Sequence, residues 1–273
     1  MPPTDRPTDR PAATPWLRDA LVDLVAGGRC VGCDRPGRLV CAGCRAGLAV
    51  PGAGPRPAFV DPRPPGLGVV WSATTHEGVA RGMVVGLKER AHLALRRPLA
   101  DLLAGAVLGA ATEALGAAGT PRTPAAARIL LCPVPPSPGS VRRRGHDPVG
   151  GVTRTAARVL RAAGHDVRLV PLLVSRGAVA DQGDLGAAER VLNVRGTLWC
   201  PAAVLERARR RHGSGHVVVC DDVVTTGSTL LEARRALAAV GVQVVAGATV
   251  TSTPRRSPPT RRRPDRDRPA TAG

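Results

Sequence analysis

Apolar runs alternate with amphipathic segments between residues 69 and 250 of the chain. Short, nearly continuous apolar runs predict strands at 69–74, 128–134, 167–174, 216–221 and 242–250. Segments with apolar residues along one face predict helices at 78–90, 97–116, 148–163 and 228–239. Apolar strands separated by helices are typical of a mostly parallel sheet that is covered on both faces. The pattern therefore predicts an α/β fold, with an irregular polar stretch after the third strand.

The remainder of the chain divides into two tails, a cysteine-rich segment and a connector. Residues 1–15 and 253–273 are rich in Pro, Arg and Asp, so we expect both tails to be disordered. Residues 16–49 contain a short amphipathic helix that begins at Trp16, followed by four cysteines. The Pro/Gly-rich stretch 50–68 is predicted to be a linker, which leaves 69–252 as the α/β domain.

Charge and aromatic content narrow the classes of ligand. The formal net charge is +18, and among 39 basic residues Lys88 is the single lysine. Such a balance favours anionic ligands such as phosphates and nucleic acids. The chain has three Trp, one Phe and no Tyr, which argues against recognition of bases on aromatic platforms.

The N-terminus and the apolar helix bear on localisation. The first fifteen residues contain no apolar run of the kind that secretory signals carry. Asp101 and Glu113 interrupt the most apolar helix, which leaves it short of the ~20 apolar residues that a membrane span needs. We therefore expect a cytoplasmic protein without membrane insertion.

Four of the seven cysteines form two C-x2-C pairs within residues 29–45, namely Cys30, Cys33, Cys41 and Cys44. Each pair can place two sulfurs ~4 Å apart on a tight turn, as a tetrahedral Zn²⁺ site requires. We predict a structural zinc module, with an iron–sulfur or redox role as the alternative. Cys132, Cys200 and Cys220 lie in or just after predicted strands, and we expect them to be buried, unreactive thiols.

The most informative segment is VVVCDDVVTTGST, residues 217–229, where two acids and a hydroxyl-rich loop connect a strand to a helix. Ligands of open α/β sheets bind at the carboxyl ends of the strands, and a loop that opens a helix offers free backbone N–H groups to a phosphate. Gly227 permits close approach of the backbone, whereas Asp221 and Asp222 suit a vicinal diol, Mg²⁺ or both. Ordinary helix-start chemistry is the alternative. Together these features predict a site for a 5-phosphorylated ribose.

These thirteen residues resemble the phosphoribosyl-pyrophosphate (PRPP) motif of type I phosphoribosyltransferases. The resemblance implies Mg²⁺ and PRPP as ligands, a twisted sheet of the type I kind, and a catalytic role for Asp221 and Asp222. It also implies that PRPP contacts both acids and the residues that follow them: Val223, Val224, Thr225, Thr226, Gly227, Ser228 and Thr229.

A wider resemblance covers about 16–252. The cysteine-rich N-terminus, the PVP…RRRG segment and the ER…NVRG segment are together similar to the ComF family, whose members are competence-associated proteins with a phosphoribosyltransferase-like domain. This resemblance implies that PVPPSPGSVRRRGHD at 133–147 is a pyrophosphate loop, with a solvated basic turn as the alternative. The residues concerned are Arg142, Arg143, Arg144 and Gly145.

The same resemblance implies that 175–196 is the flexible loop that closes over PRPP, with a surface helix as the alternative. The residues that it emphasises there are Gln182, Glu189, Arg190 and Asn193, of which Arg190 is the catalytic candidate.

Some positions depart from the family pattern. RGHDP at 144–148 replaces the usual RGFNQ, and Thr197 and Leu198 stand where an aromatic is usual, so the base-binding side lacks its expected ring. His146 is expected to be solvated. Lys88 matches a lysine of the family's LKYRG-like segment, although an exposed helix lysine is the ordinary expectation.

Two functions follow from the resemblance. As a phosphoribosyltransferase, the protein would bind Mg–PRPP and transfer at ribose C1 to an acceptor such as a nucleobase, with release of pyrophosphate, in a DNA-uptake context. Alternatively, it would be a catalytically silent PRPP-binding protein that assists import of single-stranded DNA beside competence proteins. In that case RARRRH at 207–212 and the basic tail would contact DNA.

Overall fold

The computed structural model describes residues 28–48, 54–117, 127–176 and 194–254. Most of the two tails and the helix predicted from Trp16 lie outside the described residues. The loop residues Gln182, Glu189, Arg190 and Asn193 also lie outside them.

The centre of the fold is a six-stranded sheet in the order β1-β2-β8-β7-β3-β4. All neighbouring strands in it are parallel except β1 and β2, which confirms the mostly parallel α/β fold. β5 and β6 form a separate antiparallel pair. The strands are β1 (Arg56–Pro57), β2 (Val69–Thr75), β3 (Ile129–Pro133), β4 (Val167–Leu169), β5 (Val174–Ser175), β6 (Leu198–Trp199), β7 (His216–Val224) and β8 (Val244–Ser252).

Helices cover both faces of the sheet. The helices are α1 (Ala42–Leu48), α2 (Gly78–Arg90), α3 (Arg96–Ala117), α4 (Pro138–Arg144), α5 (Pro148–Ala162), α6 (Ala202–His212) and α7 (Ser228–Ala238). Buried side chains of α2, α3 and α5 form one core with the sheet, and those of α6 and α7 form a second core on the opposite face.

Strand β7 shows why the predicted strands contain nearly continuous apolar runs. Val218 and Cys220 belong to the core beneath α2, α3 and α5, whereas Val217 and Val219 belong to the core beneath α6 and α7. Both faces of this strand are therefore removed from water, which is the environment that a continuous apolar run predicts.

The helix Leu93–Ala117, which includes α3, is long and apolar enough to cross a membrane by length and composition alone, with a mean hydropathy of 1.4. Half of that stretch is buried inside the fold. Its small residues, among them Ala100, Ala106 and Ala110, have no exposed surface and pack in the core with β2 and β8. Its apolar character is therefore accounted for by its place as a core helix.

The prediction of one strand over 167–174 is wrong in the length of the strand. β4 ends at Leu169, and the chain pairs again only at β5, in a different ladder. Pro171 lies between them and has no N–H to donate, so the run cannot continue as one strand of the sheet.

Two stretches predicted to be irregular contain helices. The polar stretch after residue 175 includes α6, and the basic residues of its last turn, Arg209, Arg210, Arg211 and His212, complement the helix dipole. The segment 133–147 includes α4, which begins with Pro138 and ends at Gly145, where φ is +68°. Proline at the start and glycine at the end are the signals that could have predicted this short helix.

The described part of the predicted linker, 54–68, packs against the sheet. β1 pairs with β2, and Ala58, Val60 and Leu67 are buried in the core beneath α6 and α7. This segment therefore supplies an edge strand and apolar contacts in addition to connecting its neighbours.

Gly109 of α3 is required for the contact between this helix and β2. A Cβ at this position would lie 2.2 Å from Cε3 of Trp71, whose indole N–H donates to Glu113 Oε2 at 2.5 Å. Gly109→Ala should therefore lower the free energy of unfolding by about 1–3 kcal/mol. Gly116→Ala, where nothing lies within 4 Å, should raise it by about 0.5–1 kcal/mol. Denaturant titration measures both, and equal values for the two variants would contradict the packing argument.

Candidate functional site

Two adjacent aspartates lie near the carboxyl end of the central strand β7. The strand, predicted over 216–221, continues to Val224, so Asp221 and Asp222 both lie within β7 near its carboxyl end. Asp221 lies opposite Thr249 of β8, and on the other side the N–H of Val134 donates to the carbonyl of Cys220 at 2.9 Å. The acid pair is therefore held by ladder bonds to both neighbouring strands.

Asp222 forms an ion pair with Lys88 of α2. The Lys88 Nζ lies 2.8 Å from Oδ1 and 2.7 Å from Oδ2 of Asp222, and 10% of the Asp222 side chain is exposed. The expectation of an exposed helix lysine is wrong, since 29% of the Lys88 side chain is exposed and its charge is directed at the acid pair. A compact ammonium can approach both carboxylate oxygens of one buried group.

Asp221 has a raised pKa. Its carboxylate accepts the N–H of Asp222 at 2.8 Å. Burial, together with the negative charge of Asp222, raises the pKa of Asp221 to about 7, although Lys88 opposes this shift. Two carboxylates near the carboxyl end of a parallel strand offer oxygen ligands that fit Mg²⁺ or the hydroxyl groups of a diol.

The loop after β7 opens α7 without a side-chain cap. Gly227 adopts φ of +73° at the N-cap position, and no side chain caps the first turn. A Cβ there would lie 2.8 Å from Cδ2 of Leu67, so glycine is required at this turn for space as well as conformation. The hydroxyls of Thr226 and Ser228 lie 2.6 Å apart. Backbone N–H groups and hydroxyls at a helix N-terminus form an environment that suits a phosphate.

The three arginines of α4 do not lie in equivalent environments. Arg142 and Arg143 are exposed, whereas Arg144 is half-buried and its Nη2 lies 2.7 Å from Oε1 of Glu89 in α2. The predicted trio is therefore divided into two exposed guanidiniums and one that connects α4 to α2.

His146 also connects this basic segment to α2. Its Nδ1 lies 2.8 Å from the carbonyl oxygen of Arg144, and its Nε2 lies 2.9 Å from that of Leu87. The expectation of a solvated histidine is therefore wrong. Consecutive residues of α2 thus contact three parts of the site: Leu87 contacts His146, Lys88 contacts Asp222, and Glu89 contacts Arg144. Sequence analysis singled out Lys88 from this turn and missed the other two residues.

The described ends of the predicted flexible loop are held together. The N–H of Arg176 donates to the carbonyl of Thr197 at 2.8 Å, and the Arg176 guanidinium lies 5.1 Å from the ring centre of Trp199. Glu232 of α7 is buried and accepts the N–H of Leu198 at 3.2 Å. Burial opposes ionisation of Glu232, but its bonds with Arg235 lower its pKa overall. Sequence analysis missed Glu232, because an acid within an amphipathic helix carries no special signal.

The four clustered cysteines come together as predicted. The sulfurs of Cys30, Cys33, Cys41 and Cys44 all lie within 4.8 Å of one another. Tetrahedral Zn–S bonds of ~2.3 Å place sulfurs about 3.8 Å apart, so the cluster fits a metal such as zinc. Burial opposes ionisation of Cys30, but hydrogen bonds from backbone N–H groups, including that of Cys41, lower its pKa to about 6. The thiolate is the form of cysteine that binds a metal, and a lowered pKa favours it.

The other three cysteines are buried, as expected. Burial raises the pKa of Cys132 to about 12 and that of Cys220 well above its ordinary value. Burial also raises the pKa of Cys200. These thiols are therefore poor nucleophiles and serve as packing groups.

Comparison with known proteins identifies the C-terminal part of this architecture. Residues 193–267 match the family model described as "Phosphoribosyl transferase domain". The matched region includes the acid pair, the loop after it, α7 and β8. Comparison with curated proteins gives no match. The family match supports the type I phosphoribosyltransferase part of the resemblance, and the four cysteines lie outside it.

Asp221→Asn tests whether ionisation of Asp221 lowers the stability of the folded protein. Because the pKa of Asp221 is raised in the folded state from 3.8 to about 7, its contribution to stability falls as the pH rises through this range. The amide does not ionise, so the Tm of the variant should exceed that of the wild type at pH 8 and lose this advantage near pH 4. Thermal unfolding without added Mg²⁺ measures the difference.

Asp222→Asn is the matched control, since it leaves Lys88 without its partner and should lower Tm at pH 8. If the Tm difference between Asp221→Asn and the wild type is the same at pH 4 and at pH 8, ionisation of Asp221 does not lower the stability of the fold.

Proposed function

We propose that the protein binds Mg–PRPP and transfers its phosphoribosyl group to an acceptor with release of pyrophosphate. The observation that carries this proposal is the continuity of an acid pair and an uncapped, hydroxyl-rich loop at the end of one strand, inside the region that matches the phosphoribosyltransferase family model. One end of this arrangement suits a phosphate and the other suits a diol.

In this proposal the 5-phosphate binds the loop that opens α7. Backbone N–H groups of the first turn and the hydroxyls of Thr225, Thr226, Ser228 and Thr229 donate to it. The helix dipole adds favourable charge without a basic side chain. Val223 and Val224 contribute backbone contacts, and the turn at Gly227 allows the close approach.

The ribose hydroxyls are bound by Asp221 and Asp222. Mg²⁺ would be held beside the same carboxylates through PRPP and would neutralise charge on the pyrophosphate. Asp222 is oriented by its ion pair with Lys88, whereas Asp221, whose pKa is raised to about 7 by burial and the charge of Asp222, accepts hydrogen bonds from the ribose hydroxyls once it is ionised. Both groups orient C1 for reaction.

Pyrophosphate leaves toward the basic segment. The bond between C1 and the pyrophosphate oxygen breaks with its electron pair on the leaving group, and the acceptor forms its bond to C1. The exposed guanidiniums of Arg142 and Arg143 bind the departing anion, while Arg144 and Gly145 hold their segment in place. Arg190 and its neighbours Gln182, Glu189 and Asn193 are proposed to close over the complex and exclude water.

The combination of a four-cysteine cluster with this region also supports membership of the ComF family, and with it a competence role and DNA-uptake partners. This part of the proposal is independent of turnover, because a PRPP-binding protein without transferase activity would fit it equally.

Calorimetry with Mg²⁺ and PRPP tests the pocket. We expect micromolar binding in the wild type and a loss of about tenfold or more when Asp221 and Asp222 are both changed to Asn, since their contacts with the diol weaken. Arg97→Gln, at an exposed position on α3, is the control and should bind as the wild type does. Equal heats in the wild type and the double variant would refute the pocket.

Pyrophosphate release across a panel of nucleobases then tests turnover. Release with one acceptor supports the transferase, whereas binding without release from any acceptor supports the silent PRPP-binding protein.

A second candidate function is nucleic-acid binding at α6. Arg207, Arg209, Arg210 and Arg211 are all exposed on this helix, and the ion pair that Arg210 makes with Glu206 at 2.7 Å neutralises one of these charges. A dense row of exposed guanidiniums suits successive phosphates.

If α6 binds single-stranded DNA, affinity should fall linearly with the logarithm of salt concentration. Arg207→Gln with Arg211→Gln should lower the magnitude of the slope by about 1.4, since each phosphate contact contributes about 0.7. Arg97→Gln serves again as the control. Fluorescence anisotropy of a labelled oligonucleotide measures the slope, and an unchanged slope would remove α6 from the DNA interface.

A further inference from the structure

The four-cysteine module rests directly on α2, the helix that carries Lys88. Val31 lies between Cys30 and Cys33, and its carbonyl oxygen lies 2.1 Å from the place where a Cβ of Gly82 would be. On the module side, a Cβ at Gly32 would lie 2.6 Å from Cγ2 of Val79. The two surfaces therefore meet backbone to backbone, with no room for a side chain at Gly82.

The contact follows a groove in α2. Gly78, Gly82 and Gly86 are spaced by four residues, which places them along one face of a helix. A Cβ at Gly86 would lie 3.4 Å from Cγ1 of Val31, so the side chain of Val31 lies over the second half of this groove. The module thus contacts α2 along the turns that lead to Lys88.

Other residues of α2 face the core that this helix shares with α3. Met83, Val84 and Leu87 are buried in the core, and Lys88 reaches Asp222 at the end of β7. The helix is therefore held between the module on one side and this core on the other. A displacement of the module would act on the same short helix that delivers the ammonium to the acid pair.

The module has almost no core of its own. Among residues 28–48, the described part of the cysteine-rich segment, Cys30 and Val40 are the two that are buried. So small an apolar core cannot hold a segment folded, and metal–sulfur bonds would supply most of its stability. Under this argument the position of Val31 against α2 would depend on a metal bound by the cysteines on either side of it.

We propose that the metal-loaded module is a positioning element for the PRPP site, acting through Val31, Gly82 and Lys88. This inference rests on the proposed function and extends it. The metal keeps the Val31 turn in the groove, this contact fixes the position of α2 on the core, and α2 sets the Lys88 ammonium against Asp222. A module that served only as a staple for its own segment would leave PRPP affinity unchanged when it is displaced.

Gly82→Ala tests the contact without altering a cysteine or a residue of the site. Alanine favours a helix over glycine by about 1 kcal/mol, so any loss must come from the displaced module. Gly43→Ala, in α1 of the module with nothing within 4 Å, is the matched control. Both variants should retain the wild-type metal content by elemental analysis. Gly82→Ala should weaken binding of Mg–PRPP about tenfold in calorimetry, and Gly43→Ala should not change it.

A double-mutant cycle identifies Lys88 as the intermediary. In a Lys88→Met background, Gly82→Ala should cause no further loss of PRPP affinity, because the group that the module positions is already absent. The same tenfold loss in both backgrounds would show general loosening of the fold and would overturn the proposal.

Amide hydrogen exchange supplies a readout that does not depend on PRPP. Removing the metal with a chelator that binds zinc but not magnesium should increase exchange in residues 83–90 of α2 and leave β7 protected. Unchanged exchange in α2 would overturn the positioning role. A wild type that does not bind PRPP would refute the proposed function, and the exchange experiment would then still decide whether the module holds α2.

Discussion

The ion pair between Lys88 and Asp222 is the interaction on which the site depends. It joins residues 134 positions apart in the chain and neutralises a carboxylate with a 10% exposed side chain. A buried carboxylate without a partner would be strongly destabilising, so α2 must be held where its ammonium can reach β7. Other contacts hold α2 in this position. Leu87 and Glu89 contact His146 and Arg144 of the basic segment, and Gly82 contacts the cysteine module.

Much of the fold and part of the site could be predicted from the sequence. The strands around β7 were predictable because burial on both faces leaves a continuous apolar run, and the cysteine cluster because metal ligation requires its spacing. The acid pair and the loop after it carry their chemistry within one short segment. The contacts that Lys88, His146 and Glu232 make around the site were not predictable. Each of these residues contacts a residue that is distant in the sequence, and folding alone brings the two together.

The wrong expectations have a common physical origin. A single lysine on a helix and a single histidine in a turn are usually solvated, and only tertiary contacts reveal otherwise. In contrast, the shortened strand β4 and the short helix α4 had local signals in Pro171, Pro138 and Gly145. Local chemistry therefore decides where elements end, whereas the environment of an isolated polar residue is decided by packing between distant elements.

The order of strands has a consequence for synthesis on the ribosome. β8 is the last strand among the described residues, yet it lies between β2 and β7, with Val69 opposite Ala246. Until β8 leaves the ribosome, the first half of the sheet cannot join the second, and β2 has β1 as its one neighbour in the sheet. The two halves of the sheet therefore join only once β8 has been synthesised, which makes its insertion between β2 and β7 a late step of folding.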